Sequence, residues 1–425
     1  MEEHTTPAIS QPKQAVIFCG GLGTRLRPLT DLLPKPMVSV NGSPFLEHLL
    51  QQLSNQGFRR FLLLTGYLGK IIRDYFGDGS GWGWTIEYSH GPAEWETGRR
   101  LWEAREQLDA QFLLMYSDNF VQFRLPHLME LHFREQVPLT LLLAPKAKGN
   151  IRVSSTGHIE AYIKTRIGDD LNHVEVGYML VERVPTLATF SGLPGHPDIS
   201  FSAVLQSLGT SRRIAGLVVR DPYHSISDPE RLALMGEYLK VKKILLIDRD
   251  GTINEKAGKG EYITSWQKFK WIPQTREALV KLAADEFKFI IITNQAGIAR
   301  KMIKPEALEE IHQKMTIELA EDGVEVLKTF VSAHHWHENS FMRKPAPGMF
   351  FQAAKNFNLR MDRTLYVGDD ERDCTAAWNA GCGMVYLTDE VPKFENYPHI
   401  FYHGRTLLDK VEEIKRTYSL WEQHV

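Results

Sequence analysis

The chain has 425 residues, of which 43% are hydrophobic and 24% are charged, and its formal net charge is −2. This length is more than one hydrophobic core usually supports and favours two or three domains, while the composition is that of an ordinary globular protein. The near-neutral charge argues against a nucleic-acid-binding protein, so a small-molecule substrate is expected.

The cysteine content and the N-terminus predict a cytoplasmic location. Cys19, Cys374 and Cys382 show no CxxC spacing, which favours a reducing compartment over a disulfide framework. Residues 1–13 form a polar tail without a signal-peptide core, and no apolar stretch approaches the length of a membrane span. We therefore expect no membrane partner, and a homo-oligomer is left open.

The first chemical motif follows an apolar strand at residues 15–19. A glycine-rich turn comes next, with the sequence Gly20, Gly21, Leu22, Gly23, Thr24, Arg25. Glycines let backbone N–H groups approach phosphate oxygens closely, although such a turn is equally compatible with a structural bend. Neither GxGxxG nor the Walker pattern is present. Lys35, in a stiff segment before Pro36, adds a cation that could reach the same phosphates.

The two segments GGLGTRLRPLT and PKPMVSVNGSPFLEHLL together resemble the sugar-1-phosphate nucleotidyltransferases, and a weaker resemblance continues to about residue 240. The resemblance implies that the glycine loop, Arg25 and Lys35 hold a nucleoside triphosphate. It also implies that Asp118, which follows a strand at residues 112–115, binds magnesium; the alternative is a simple turn residue. Lys164 is a candidate contact to the sugar phosphate.

Three departures from that family stand out. Where the family has a small, glycine-rich stretch for the sugar, this chain has Glu96, Thr97, Gly98, Arg99, Arg100. Glu175 stands where the family usually has asparagine. Ser225 stands where a second metal-binding aspartate is expected, and Asp228 and Glu175 are the candidate replacements.

The second half begins with the strand at residues 244–247, which ends in Asp248, Asp250 and Gly251. Two carboxylates at the carboxyl end of a buried strand can serve as nucleophile and acid/base, whereas the simpler interpretation is an Asp-rich turn. Strand and helix patterns then alternate, and polar motifs follow at Thr293, at Lys344 and after a strand at residues 364–367. A parallel sheet would bring all four motifs to one edge.

The order DRDGT, ITNQ, RKPAPGM, GDDERD resembles the haloacid dehalogenase superfamily of phosphohydrolases, and within it the D-glycero-D-manno-heptose 1,7-bisphosphate and histidinol-phosphate phosphatases. The resemblance implies that Asp248 attacks phosphorus and that Asp250 is the acid/base. It further implies that Thr293 and Lys344 hold phosphoryl oxygens. Asp369 would join Asp248 and the Asp250 carbonyl on magnesium, and Asp373 would belong to the same carboxylate group and orient Lys344. The candidate substrate contacts are Asn294, Arg300 and Arg343. The two arginines are equally compatible with plain surface charges.

The loop before Lys344 departs from the heptose phosphatases, which usually hold a structural zinc there. The four ligand positions are occupied by Ser332, His334, Ser340, Met342, so three ligands are missing. We expect no structural zinc. The histidines at 334, 335 and 337 are more typical of solvated or substrate-facing side chains than of a complete zinc site.

The sequence thus predicts an α/β protein of two Rossmann-like domains. A nucleotidyltransferase domain with a mixed sheet occupies residues 14–238, and a haloacid dehalogenase-like domain with a parallel sheet and a minimal cap occupies 241–390. A C-terminal extension with a helix follows at 391–425. The predicted function is magnesium-dependent removal of the 7-phosphate of a heptose 1,7-bisphosphate through an aspartyl phosphate, and nucleotidyl transfer, with GMP favoured, to the sugar 1-phosphate. The alternatives are a degenerate, non-catalytic first domain and a phosphatase for another monoester such as histidinol phosphate.

Overall fold

The structure is a computed structural model that describes residues 11–154, 156–163, 165–166, 170–258, 260–390 and 398–423. It divides into two compact units, Met1–Gly236 and Glu237–Val425. The division falls inside a helix, Pro229–Leu239, a few residues before the boundary expected at 238–241. No helix among the described residues is long and apolar enough to cross a membrane.

The first unit is built on a mixed sheet with helices. Its strands are β1 (Gln14–Cys19), β2 (Ser39–Val40), β3 (Ser43–Pro44), β4 (Arg60–Thr65), β5 (Thr85–His90), β6 (Gln111–Tyr116), β7 (Asn119–Val121), β8 (Leu139–Pro145), β9 (Ile151–Val153), β10 (Ile159–Tyr162), β11 (His173–Glu182), β12 (Ile214–Val218), β13 (Tyr223–Ser225). Its helices are α1 (Phe45–Asn55), α2 (Gly69–Phe76), α3 (Thr97–Glu103), α4 (Leu125–Glu135), α5 (Arg183–Ser191), α6 (Phe201–Thr210) and α7 (Pro229–Leu239).

The central strands of this unit place the nucleotide motifs at one edge. In the described residues the main sheet has the order β10-β9-β11-β6-β1-β4-β5, with β8 between β11 and β12. Strand β1 is buried along its whole length, as expected for a strand covered on both faces. It pairs in parallel with β4 and β6, so the glycine turn after Cys19 and Asp118 after Tyr116 leave the sheet at the same edge. Strand β11 runs antiparallel to β6, which makes the sheet mixed.

The second unit is built on a parallel sheet. Its strands are β14 (Ile244–Ile247), β15 (Lys288–Asn294), β16 (Val326–Ser332), β17 (Leu365–Gly368), β18 (Gly383–Leu387) and β19 (Ile400–Gly404). Its helices are α8 (Pro273–Ala283), α9 (Pro305–Glu321), α10 (Gly348–Phe357), α11 (Glu371–Ala380) and α12 (Val411–Gln423). The strand order within the described residues is β16-β15-β14-β17-β18-β19, and every pair is parallel.

Apolar layers cover both faces of this sheet. Leu245 and Ile247 of β14 pack on one side, together with α8, α9 and α12, while Ile244 and Leu246 pack on the other, with α10 and α11. The α/β class, the mixed first sheet and the parallel second sheet predicted from the sequence are confirmed. Because β14, β15 and β17 are neighbours and parallel, the polar residues after each of them meet at one edge.

The segment after residue 390 packs with the second unit in the part that the structure describes. Strand β19 extends the parallel sheet, and α12 packs on its core through Ile414, Tyr418 and Trp421. The Tyr418 hydroxyl donates to the Ile244 carbonyl at 2.6 Å, which ties the helix to β14. Strand β19 has one buried residue, Ile400, and was not predicted from the sequence. The described part of this segment is therefore an integral part of the second unit.

Candidate active sites

The candidate site of the second unit is centred on a buried lysine between two carboxylates. Asp248 follows β14, and its Oδ1 lies 2.7 Å from Lys344 Nζ. Asp373, in the first turn of α11, lies 2.8 Å from the same nitrogen. Lys344 also donates to the Ile292 carbonyl and to the Tyr366 hydroxyl, which itself donates to Asp373. These contacts fix the cation beside the expected nucleophile.

The electrostatics of this group favour a charged lysine. Burial alone would lower the pKa of Lys344, but Asp248 and Asp373 outweigh it and raise the pKa. Burial raises the pKa of Asp248, an effect that Lys344 opposes. The lysine therefore favours the ionised form of Asp248, the expected nucleophile.

Asp250 is held by a partner that the sequence did not point out. The buried Arg249 donates from Nη2 to both Asp250 oxygens at 2.9 Å, and its Nη1 lies 2.9 Å from His312 Nε2 on α9. Gln295 Nε2 donates to Asp250 Oδ2 at 2.7 Å. Burial would raise the pKa of Asp250, but Arg249 and the hydrogen bonds lower it. The side chain is thus oriented and ionised.

The carboxylates at the strand ends fit a divalent cation. Among the described residues, Asp248, Asp369 and Asp373 form the one group of three potential ligands whose atoms lie within 4.8 Å of one another. Hard carboxylate oxygens suit such an ion. Gly251 makes room for this arrangement, since a Cβ there would lie 2.3 Å from Asp369 Oδ2. The Asp250 side chain is outside the group, consistent with the expectation that only its carbonyl takes part.

Thr293 and Asn294 end strand β15 in different settings. The Thr293 hydroxyl is buried and accepts a hydrogen bond from Gln295. Asn294 donates to the Lys344 carbonyl at 3.0 Å and accepts from the Lys344 N–H at 3.1 Å. Its amide therefore positions the Lys344 segment, although Asn294 was expected to bind substrate.

A cavity of about 580 Å³ opens above these groups, and its lining includes both cations and carboxylates. Arg300 lies over two rings, those of Tyr262 at 5.7 Å and Trp336 at 5.5 Å, and its Nη1 donates to the Tyr262 hydroxyl. Arg343 donates to the His334 carbonyl. Lys256 and Arg372 line the same cavity, and Lys256 also pairs with Asp369. Such a cavity suits a small anionic substrate.

The loop of residues 332–342 is fastened by hydrogen bonds between its own residues. His334 Nδ1 lies 2.8 Å from a Glu338 oxygen, and the other Glu338 oxygen accepts from the His335 N–H. The His335 ring accepts from the His337 N–H. Three of these side chains thus have partners within the loop, and the absence of zinc stays a prediction.

In the first unit, the structure brings Lys35 and Asp118 together. Lys35 Nζ donates to Asp118 Oδ2 at 2.8 Å at the edge where the glycine loop lies. Gly23 has a φ of 63°, which glycine adopts without strain, and a short 3-10 turn from Thr24 to Leu26 follows it. Arg25 lies in that turn and is exposed. Lys164 lies outside the described residues.

The three departures from the family have distinct surroundings. Ser225 lies opposite Asn119 in the β13–β7 pair, next to Asp118, and is hydrogen bonded to Ser227 and Arg231. The Glu175 carboxylate accepts from Tyr162 and Asn150, and burial raises its pKa. Asp228 accepts from Ser227 and from the Arg231 N–H.

Comparisons with known proteins match the two halves of the chain to two different families. The Nucleotidyl transferase family model matches residues 14–164, and the Polynucleotide kinase 3 phosphatase model matches residues 243–379. D-glycero-beta-D-manno-heptose-1,7-bisphosphate 7-phosphatase of Vibrio cholerae is 34% identical over 153 residues, 34% of this chain and 81% of that protein. Mannose-1-phosphate guanylyltransferase of Mycobacterium tuberculosis is 30% identical over 174 residues, 40% of this chain and 48% of that protein, so the chain spans about half its length.

A solved structure is also similar. The D,D-heptose 1.7-bisphosphate phosphatase from B. bronchiseptica, complexed with magnesium and phosphate, is 25% identical with a TM-score of 0.37, covering 41% of this chain and 99% of that one.

The fold and the sites define two classes of enzyme domain in one chain: a nucleotidyl transferase domain followed by a haloacid dehalogenase-like phosphatase domain. Through its second half, the chain belongs to the family of D-glycero-D-manno-heptose-1,7-bisphosphate 7-phosphatases.

Proposed function

We propose that this chain is a bifunctional enzyme of nucleotide-activated heptose synthesis. Its second unit removes the 7-phosphate of a heptose 1,7-bisphosphate in a magnesium-dependent reaction. Its first unit transfers a nucleotidyl group, preferably GMP, from a nucleoside triphosphate to the remaining sugar 1-phosphate. The observation that carries the proposal is the buried Asp248–Lys344–Asp373 group beside an oriented Asp250. A cytoplasmic location, expected from the cysteine content, is part of the proposal.

The phosphatase step uses the two aspartates in turn. Asp248 attacks phosphorus and forms an aspartyl phosphate, while Asp250 protonates the leaving alkoxide and then activates water. The free-enzyme pKa of Asp250 is lowered, but the arriving phosphoryl group adds negative charge beside it and favours proton uptake. Lys344 and Thr293 hold phosphoryl oxygens. Magnesium held by Asp248 and Asp369 would offset the repulsion between the attacking carboxylate and the phosphate.

The cations of the cavity support a substrate with a second phosphate. Arg300 and Arg343 line the cavity together with the catalytic group, and arginine forks suit phosphate oxygens, whereas the fork of Arg372 is engaged by Asp370. If these arginines bind one phosphate of a bisphosphate substrate, its other phosphate can lie at Asp248. Regioselectivity for the 7-phosphate is required chemically, because cleavage of the 1-phosphate would destroy the substrate of the first unit.

The transferase step needs no covalent intermediate. The sugar 1-phosphate attacks the α-phosphorus in line, and Lys35 and Arg25 offset charge on the departing pyrophosphate. Asp118 would hold the magnesium ion that polarises the same phosphates. The guanylyltransferase among the relatives supports GTP as the donor.

A second candidate function is a working phosphatase with a non-catalytic first unit. It is favoured by Ser225, which lies opposite Asn119, the residue after Asp118, and has no carboxylate to bind a second metal ion. It is also favoured by Glu175, because Tyr162 already donates a hydrogen bond to its carboxylate. The intact Lys35–Asp118 contact supports activity instead.

Pyrophosphate release separates the two candidates. The purified protein is incubated with magnesium, each of the four nucleoside triphosphates and several sugar 1-phosphates. The proposal predicts release that requires both substrates and is fastest with GTP and a heptose 1-phosphate. No release with any pair, in protein whose phosphatase is active, would favour the non-catalytic first unit.

A further inference from the structure

Arg100 occupies an unusual position beneath the nucleotide motif. It lies on α3, in the segment that departs from the family's glycine-rich stretch, and its exposed fraction is 4%. Its guanidinium donates to backbone carbonyls from three parts of the chain: Thr65 at 2.8 Å and Gly20 at 3.4 Å, and, in the loop after β5, Gly91 at 3.5 Å, Pro92 at 2.6 Å and Ala93 at 3.2 Å. One side chain thus joins the ends of β1, β4 and β5.

The glycines around Arg100 are explained by its guanidinium. A Cβ on Gly20 would lie 2.4 Å from Arg100 Cζ, and a Cβ on Gly66 would lie 2.6 Å from Arg100 Nη2. Neither glycine has a positive φ, so the backbone conformation does not demand glycine at either place. The close approach of the guanidinium leaves no room for a Cβ at Gly20, and the guanidinium together with the Gly20 carbonyl leaves none at Gly66. Gly20 opens the glycine loop, and Arg100 therefore packs directly against the start of the phosphate cradle.

The charge of Arg100 is balanced mainly by carbonyl dipoles, with Glu94 as a nearby carboxylate that favours the charged form. In the part of the chain that the structure describes, Arg100 forms no ion pair with a carboxylate, whereas the neighbouring Arg99 faces Glu103 and Asp198. A buried charge is costly unless it is paired, so such a residue is expected to serve a purpose beyond packing. An anionic ligand over the glycine loop would supply the missing negative charge.

We propose that Arg100 is a positioning residue for the nucleoside triphosphate: it fixes the glycine loop against the turns after β4 and β5 and places a positive charge beneath the loop. This inference rests on the proposed nucleotidyl transfer. It assigns a purpose to one of the three segments that depart from the family pattern. It also predicts that the residue acts on nucleotide binding and not on the sugar phosphate.

Nucleotide binding and steady-state kinetics test the assignment. Calorimetry with GTP and magnesium gives the dissociation constant for the wild type, R100Q and R100K. In R100Q we expect the dissociation constant to rise about tenfold or more, while the KM for the sugar 1-phosphate stays within about threefold. R100K keeps the charge and one donor group and is expected to recover most of the affinity. Equal loss for both substrates, or no rescue by lysine, would show a merely structural role and overturn the proposal.

A second variant covers the case in which R100Q does not fold. Gly66→Ala places a methyl group against the guanidinium and against the Gly20 carbonyl that the guanidinium contacts, and is expected to weaken GTP binding with the same selectivity. Gly81→Ala is the matched control, because this exposed glycine of the same unit has open space around its Cβ and no positive φ. GTP binding by Gly66→Ala that equals the control would overturn the proposal. Failure of the wild type to bind any nucleoside triphosphate would instead refute the proposed transferase function.

Discussion

Replacement of Lys344 by methionine tests the charge balance of the phosphatase site. Lys344 is 3% exposed and lies within 2.8 Å of both Asp248 and Asp373. Methionine is similar in length but leaves two buried carboxylates without their cation. Breaking a buried pair by removing one partner costs about 3–5 kcal/mol, so we expect the free energy of unfolding of the second unit to fall by about that amount. Phosphate release should be lost as well.

Urea unfolding, followed by tryptophan fluorescence, measures this change against a matched control. Lys281→Met removes a half-exposed lysine of the same unit whose Nζ lies 3.0 Å from Glu277, and an exposed pair of this kind contributes less than about 1 kcal/mol. Adding Asp373→Asn to Lys344→Met removes one unpaired charge and should recover part of the stability but none of the activity. If Lys344→Met were no less stable than the control, the assignment of Lys344 as the balancing cation would be wrong.

The two activities should be separable, with Asp248→Asn losing phosphate release alone and Lys35→Ala losing pyrophosphate release alone; loss of both in a folded Asp248→Asn variant would contradict two independent sites. Metal analysis after exhaustive dialysis should find no stoichiometric zinc, because only His334 of four expected ligands is present and thiolates supply most of such a site's affinity; a retained zinc would make the histidine loop a ligand set. Burial and Arg249 lower the pKa of His312 from 6.5 to about 3, so the unfolded state takes up a proton that the folded state does not, and the second unit should lose stability as the pH falls from 6.5 towards 3. His312→Gln should lessen this loss, and urea midpoints at pH 7.5 and 5 that change equally in both proteins would refute it.

The sequence was most informative where polar residues end apolar strands. Asp248 and Asp369 each follow such a strand and Thr293 lies at the end of one, and the parallel order of β14, β15 and β17 brings them to one edge. The same holds for the glycine loop and Asp118 at the ends of β1 and β6. The apolar runs in the sequence locate the ends of these strands. Because the strands are parallel, their carboxyl ends lie at the same edge of the sheet.

Contacts between distant residues could not be predicted. Tyr366 looked like an ordinary strand residue, yet its hydroxyl links Lys344 to Asp373. His312 appeared as one residue of an amphipathic helix, yet it contacts Arg249, 63 positions earlier in the chain. Arg100 was seen only as a departure from a family pattern, because nothing local reveals which carbonyls a buried guanidinium will meet.

Phosphorus NMR of a heptose 1,7-bisphosphate, incubated with the enzyme and magnesium and then with GTP, tests the coupled reaction most directly. Without nucleotide, the resonance of the 7-phosphate should disappear first while that of the 1-phosphate persists. After GTP is added, the 1-phosphate resonance should be replaced by those of a nucleoside diphosphate sugar and pyrophosphate. Preferential loss of the 1-phosphate in the first stage would contradict a chain whose two units act in sequence on one sugar.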